Sequence, residues 1–253
     1  MTQYINANSV NIQTNIFTNN QNITTIDCNN VPWTNDDMSN AFFNCVKLTS
    51  ITNIADSTTN MLQCFKNCKA LTSAPTIPNS VTNMYFAFHY CYNLLTGPTI
   101  PSSVQSANYA FSYCVNMTSI PSIENSITYM YGTFSQCRKL TNVPTIPDSV
   151  SHMSQTFDNC RVLENSPNIG SGVQYIDRCF NNCQSLTGNI YIHSNQVKNA
   201  ANCFGSTTLT KNVYIPFSYE NNETSATYNS FISAGYTTTG TKEGVYLKDL
   251  ATI

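Results

Sequence analysis

One interval runs through this chain: 23 residues. Cys45, Cys68, Cys91, Cys114, Cys137, Cys160 and Cys183 are each 23 positions from the next. Ile54, Ile77, Ile100, Ile123, Ile146, Ile169, Ile192 and Ile215 keep the same step, and so do Phe42, Phe65, Phe88, Phe111, Phe134, Phe157 and Phe180. Pro75, Pro98, Pro121, Pro144 and Pro167 form a fourth column. Four columns of different chemistry on one period define a solenoid, in which each coil buries its apolar face only against its neighbours. The 253 residues therefore read as one continuous elongated body.

Charged residues make up only 9% of the chain, and Asn, Thr and Ser carry the polar load instead. Neutral amides and hydroxyls suit stacked turns, because they bond from coil to coil without like-charge repulsion. They also suit a surface that meets neutral partners such as glycans. A net charge of −2 provides no basic field, which argues against nucleic acid as a partner. No apolar run reaches the roughly 18 residues needed to cross a bilayer, so no membrane insertion is expected. The start, Met1-Thr2-Gln3-Tyr4-Ile5-Asn6, has no basic head, apolar core or small-residue cleavage site, and the expectation is a chain without a secretory signal.

The eleven cysteines invite a disulfide reading, but the period argues otherwise. Seven share one position among inward-facing residues. Cys64 and Cys179 fill the slot before Phe, where other coils carry Ala41, Ala87, Ala110, Thr133 and Thr156. Cys203 reads as the occupant of the Phe slot in the last coil, and only Cys28 lies outside the pattern. The expectation is a set of free thiols acting as small buried apolar groups. Metal binding is not expected, because there is no C-x-x-C pair and each coil offers one ligand.

In the coil from Leu71 to Leu94, Thr76-Ile77 reads as a short strand bounded by Pro75 and Pro78. Asn79-Ser80 turns the chain. Met84, Phe88, Cys91 and Leu94 then share one face of a helical segment or of successive tight turns. The coils fall at roughly 31–53, 54–76, 77–99, 100–122, 123–145, 146–168, 169–191 and 192–215. In the last, Asn199 stands where Met stood, Ser206 where Cys stood, and Leu209 keeps the Leu column. Residues 1–30, with Ile5, Val10, Ile12, Ile16, Phe17, Ile23 and Ile26, read as an N-terminal cap of short strands. Residues 216–253 read as a C-terminal cap: a short helix from Ser225 to Ala234 stopped by Gly235, then a hairpin of Tyr236–Thr239 with Val245–Leu247.

The core Ser80-Val81-Thr82-Asn83-Met84, followed by Phe88, Cys91 and Leu94-Leu95-Thr96, resembles the BspA-type leucine-rich repeat family, and it recurs in register over residues 38–215. The resemblance implies an α/β solenoid: a leucine-rich-repeat-like, right-handed stack of about eight 23-residue coils. A parallel β-sheet would line one face and short helical or 3-10 turns the other. It also implies adhesion or recognition and supplies no catalytic residues or cofactors. Such repeats occur in bacterial and protist surface proteins and in phage-encoded proteins.

In a solenoid, a site is made by residues of matching phase on neighbouring coils. His89, His152 and His193 stand at three different phases and read as isolated surface or loop histidines. Glu124, Asp148, Asp158, Glu164 and Asp177 form no column, so paired carboxylates are unsupported. The chain holds no nucleophile elbow, zinc helix, phosphate loop or dinucleotide fingerprint, and the N-x-[ST] sequons at Asn22, Asn116 and Asn222 are expected by accident in so Asn- and Thr-rich a chain. The positive anomaly is aromatic. The position before the ladder Cys reads Asn44, Asn67, Tyr90, Tyr113, Gln136, Asn159, Asn182: an amide column broken by two tyrosines. Tyr85, Phe86, Tyr92, Tyr109, Tyr129 and Tyr131 stand at neighbouring variable positions. Tyr85, Phe86, Tyr90, Tyr92, Tyr109, Tyr113 and Tyr131 are the expected binding residues, some of them facing solvent, since contiguous exposed aromatics mark contact surfaces.

The expected function is non-catalytic recognition of a host-surface protein or glycan, as a phage virion or tail component that also contacts other virion proteins. The alternatives are a bacterial cell-surface adhesin domain, a structural virion subunit and a glycan-active enzyme.

Overall fold

The computed structural model describes residues 15–26, 36–120, 122–207, 210–219, 223–239, 242 and 245–253. Ile5, Val10, Ile12, Cys28 and Leu209 lie outside the described residues. Equivalent side chains lie rung above rung. Nine phenylalanines, from Phe17 through Phe42 to Phe204, stack with ring centroids 5.2–5.7 Å apart. All but Phe17 are fully buried, and each is worth about 2–3 kcal/mol of burial. The seven ladder cysteines form a second buried file. Each thiol donates to the carbonyl of a Phe on the preceding coil, as from Cys91 Sγ to Phe65 O at 3.1 Å. The ten described cysteines are free and buried.

The sheet departs from expectation. From Ile100 to Ile192 the Ile column pairs as single-residue parallel bridges, Ile100 with Ile123, Ile146 with Ile169 and Ile169 with Ile192. The reason is the adjoining Pro column, which lacks the N–H that a ladder needs. Where Ile190 and Val213 replace that proline, true strands appear. Before them β1 (Thr25–Ile26) pairs parallel with β2 (Ser50–Ile51). After the prolines β3 (Ile190–Tyr191) pairs parallel with β4 (Lys211–Ile215). A longer file of parallel bridges runs Asp37, Asn60, Asn83, Ser106, Tyr129, His152, Tyr175, Asn199.

The expected helical side is a run of tight turns; no helix is described between residues 36 and 207. Alternate amides divide their work. Met84, Phe86, Phe88 and Tyr90 donate to Ser106, Asn108, Ala110 and Ser112 on the next coil, at 2.7–3.1 Å. Ala87, His89 and Cys91 donate within the coil to Met84, Phe86 and Phe88 at 3.0–3.2 Å. A helix would direct every amide along its own axis. Here half of them tie the coils together, and the chain accommodates this with left-handed residues twice per coil.

The two ends also differ from expectation. Residues 15–20 repeat the coil turn: Asn15, Phe17 and Asn19 donate to Ser39, Ala41 and Phe43, so this part of the expected cap is a further rung. In the last coil Cys203 occupies the small slot before Phe, not the Phe slot. Phe204 stacks on Phe180, and Phe180 N donates to Cys203 O as Phe157 N does to Cys179 O. Ala200 therefore takes the Met slot and Thr207 the Cys slot, because one residue is inserted between Ile192 and Val197 and shifts the following register by one. Beyond it, β5 (Ser218–Tyr219) pairs antiparallel with β6 (Glu223–Thr224). Helix α1 (Ala226–Ser233) follows, capped by Ser225, whose side chain accepts from Tyr228 N. The expected hairpin of Tyr236–Thr239 is replaced by β7 (Val245–Asp249), which pairs parallel along β4. Phe231 and Tyr236 close the Phe stack against Phe204, and Tyr236 Oη accepts from Phe204 N at 3.1 Å.

Candidate functional site

The left-handed positions build the site. Each turn carries two, four residues apart: Asn40 and Asn44, Gln63 and Asn67, Gln155 and Asn159, with φ of 52–66°. Amides and glycine tolerate this backbone, whereas a residue with a bulky Cβ substituent pays about 1–2 kcal/mol. On two adjacent coils the positions hold aromatics: Phe86 (φ 57°) and Tyr90 (φ 63°), then Tyr109 (φ 55°) and Tyr113 (φ 63°). The next coil returns to Gly132 (φ 58°) and Gln136 (φ 64°).

These four rings enclose an imidazole. His89 lies 4.9 Å from Phe86, 4.0 Å from Tyr90, 6.4 Å from Tyr109 and 5.9 Å from Tyr113, centroid to centroid. It is 8% exposed, and its Nδ1 has no hydrogen-bond partner. Burial, aided by the Lys66 charge and opposed by a hydrogen bond to the Ser112 backbone, lowers its pKa to about 4. Phe86 and Tyr109 are parallel at 4.9 Å, and Tyr90 and Tyr113 are tilted at 4.7 Å. Tyr85 packs edge-on to Phe86, Tyr92 to Tyr90 and Tyr131 to Tyr109. Burial, then the Tyr131 hydroxyl, raises the Tyr109 pKa.

Cations and a glycine close the ends of the stack. The Lys66 ammonium sits 4.8 Å from the Phe86 centroid and Lys69 5.8 Å from that of Tyr92. A Cβ on Gly132 would lie 2.5 Å from Tyr109 Cε1, so the Tyr109 ring rests on bare backbone. Arg138 is held beside the amide column by Gln136 Oε1, which accepts from its Nε and Nη2 at 3.3 and 3.1 Å.

Comparison with known proteins follows the repeat. The model of the BspA type leucine rich repeat region matches in six copies, over residues 2–118 and 105–233. The chain belongs to the BspA-type leucine-rich repeat family. A crystal structure of a leucine-rich repeat protein from Bacteroides ovatus is similar, at 24% identity with a TM-score of 0.59, over 80% of this chain and 57% of that one. That likeness shows the fold, and this chain spans little more than half the length of the Bacteroides protein. A leucine rich cell surface protein from Faecalibacterium prausnitzii matches at 19% identity with a TM-score of 0.39, over 93% of this chain and 82% of that one. No curated protein matches the sequence.

Within this BspA-type repeat, the seven aromatics singled out in the sequence come together in one connected cluster. All seven are half-buried, since much of each ring is spent on its neighbours. The sequence reading missed His89, which is not an isolated surface histidine but the hub joining the two halves. Its signal was phase: His89 shares the column of Phe43 and Lys66. His152 is likewise not isolated. It lies between Tyr129 and Tyr175, with centroids at 4.9 and 4.6 Å, in the longest bridge file. Among the described residues no group of three or more His, Cys, Asp or Glu is placed to hold a metal, and no helix is long and apolar enough to cross a membrane.

Proposed function

We propose that this BspA-type chain is a non-catalytic recognition module and that the cluster of Tyr85, Phe86, Tyr90, Tyr92, Tyr109, Tyr113 and Tyr131 is its contact surface. The observation that carries the reading is the placement of Phe86, Tyr90, Tyr109 and Tyr113 at left-handed positions. Equivalent coils hold the same backbone mostly with Asn, Gln or Gly, and otherwise with Arg178 and Ser206, so the fold does not call for an aromatic there. Strain kept at a surface is a mark of function. Tyrosine combines an apolar body with a polar tip at small entropic cost, which suits contact with a protein or glycan. The family's occurrence in surface proteins supports a cell-surface or extracellular setting, and nothing favours the virion.

The test is a paired binding survey. The full chain and its Tyr90→Asn/Tyr113→Asn form are applied to arrayed glycans and to immobilised host-surface proteins. Binding by the native chain that the double substitution abolishes supports the reading; equal binding by both forms removes this surface from consideration.

A further inference from the structure

Resting on that reading, we infer that the aromatic cluster takes an acidic oligosaccharide, a uronic-acid-type glycan, lying across the coils that carry Phe86, Tyr109 and Tyr131. Four observations converge. First, Phe86 and Tyr109 spend their faces on each other, on Lys66 and on Gly132. What such a stack offers a ligand is ring edges and hydroxyl tips. Edges are the electropositive part of an aromatic ring, so they favour an anion over an apolar sugar face.

Second, the rim is cationic. Lys66, Lys69 and Arg138 border the cluster, and between residues 77 and 145 the one carboxylate is Glu124. Glu124 belongs to a different corner, the cleft of about 510 Å³ lined by Pro75, Ile77 and Pro98. A carboxylate arriving at the cluster therefore meets attraction without a resident competitor.

Third, the buried Nδ1 of His89 lacks a partner. A buried acceptor left unsatisfied costs about 1–3 kcal/mol. Nδ1 is sealed by the rings around it, so a ligand reaches it only where those rings part, and a sugar hydroxyl then supplies the missing donor, which a bare carboxylate does not. Fourth, size decides between a glycan and a folded protein. Three coils cover about 10–15 Å along the stack, whereas a stable protein interface needs roughly 800 Å² from each partner. A few sugar residues match the smaller dimension.

The experiment uses the full chain and calorimetric titration with three probes: oligogalacturonate, the same oligomer methyl-esterified, and a hyaluronan fragment. At least one free-acid probe is expected to bind. Affinity should fall about tenfold or more on methyl esterification and for Lys66→Gln/Lys69→Gln. It should weaken similarly as salt rises from about 0.05 to about 0.5 M. Absence of binding to both acids, or equal binding of acid and ester, overturns the inference. If a methyl ester or an immobilised protein binds and Tyr90→Asn/Tyr113→Asn abolishes it, the acidic class falls while recognition by the tyrosines stands. If the double tyrosine substitution leaves acid binding unchanged, both fall. Unchanged thermal unfolding of each variant keeps a loss of binding from being a loss of fold.

Discussion

The Tyr90 and Tyr113 rings lie 4.7 Å apart on adjacent coils, and both residues hold a left-handed backbone with φ of 63°. They interrupt a file in which Asn67 Nδ2 donates to Asn44 Oδ1, and Asn44 Nδ2 to Asn19 Oδ1 at 2.8 Å. Two tyrosines thus replace an amide ladder that satisfied the same backbone without strain.

Restoring the amides tests that exchange. Tyr90→Asn/Tyr113→Asn relieves about 1–2 kcal/mol of backbone strain at each site and loses the Tyr90–Tyr113, Tyr90–Tyr92 and both His89 ring contacts, each worth about 0.5–1.5 kcal/mol, so the two effects nearly cancel. Stability by urea unfolding should stay within about 1 kcal/mol of the native chain. A loss above about 3 kcal/mol would show that the rings hold the coils together rather than serving contact.

Gly132→Ala should do the opposite. The new Cβ meets Tyr109 Cε1 at 2.5 Å and Cδ1 at 2.7 Å, at a residue with φ of 58°. A loss of about 1–2 kcal/mol is expected, with an altered near-ultraviolet tyrosine signal. Adding Tyr109→Asn should recover part of it by removing the clash, so the pair should be non-additive.

The thiol file should be inert while folded. Burial raises the Cys45 thiol from 9.0 to about 11, against a weaker lowering by the Asn20 backbone, and burial pushes Cys68, Cys91, Cys114, Cys137, Cys160 and Cys183 upward as well. Thiol reagents should label these positions only after unfolding. A raised folded pKa favours the protonated folded state, so this stability is present below pH 9 and, for Cys45, is lost as pH rises toward about 11. Urea midpoints should fall through that window; an invariant midpoint would contradict the buried file.

His89 works in the acid direction. Its folded pKa, lowered from 6.5 to about 4 by burial and by Lys66, means that the unfolded chain takes up its proton first. The contribution is present above pH 6.5 and is lost as pH falls through about 4. His89→Ser, matching Ser112 on the next coil, should flatten the stability curve between those values. A curve as steep as that of the native chain would place the acid sensitivity elsewhere.

Much of this was legible in order of appearance. The Cys, Phe and Ile columns named the buried files, because a 23-residue step superimposes equivalent side chains whatever path each coil takes between them. The spacing of Met84, Phe88 and Cys91 was ambiguous between helix and tight turns, since both bring i and i+4 to one side. The Ile column from Ile77 to Ile169 suggests more strand than forms, because the effect of the neighbouring prolines on pairing appears only when coils meet. The histidines differ in phase from one another, which hides their role. The comparison that mattered was with the aromatics of their own columns, Tyr129 and Tyr175 for His152.

By itself, the order of residues determined that the chain is a solenoid, which positions are buried, and that tyrosines cluster between residues 85 and 131. Periodicity is a property of the string, and burial follows it because each coil has only its neighbours to pack against. The tertiary structure alone decided that Phe86, Tyr90, Tyr109 and Tyr113 stand on left-handed backbone around His89. That conformation comes from amides donating to carbonyls a whole coil away, and no local propensity of Phe or Tyr would select it.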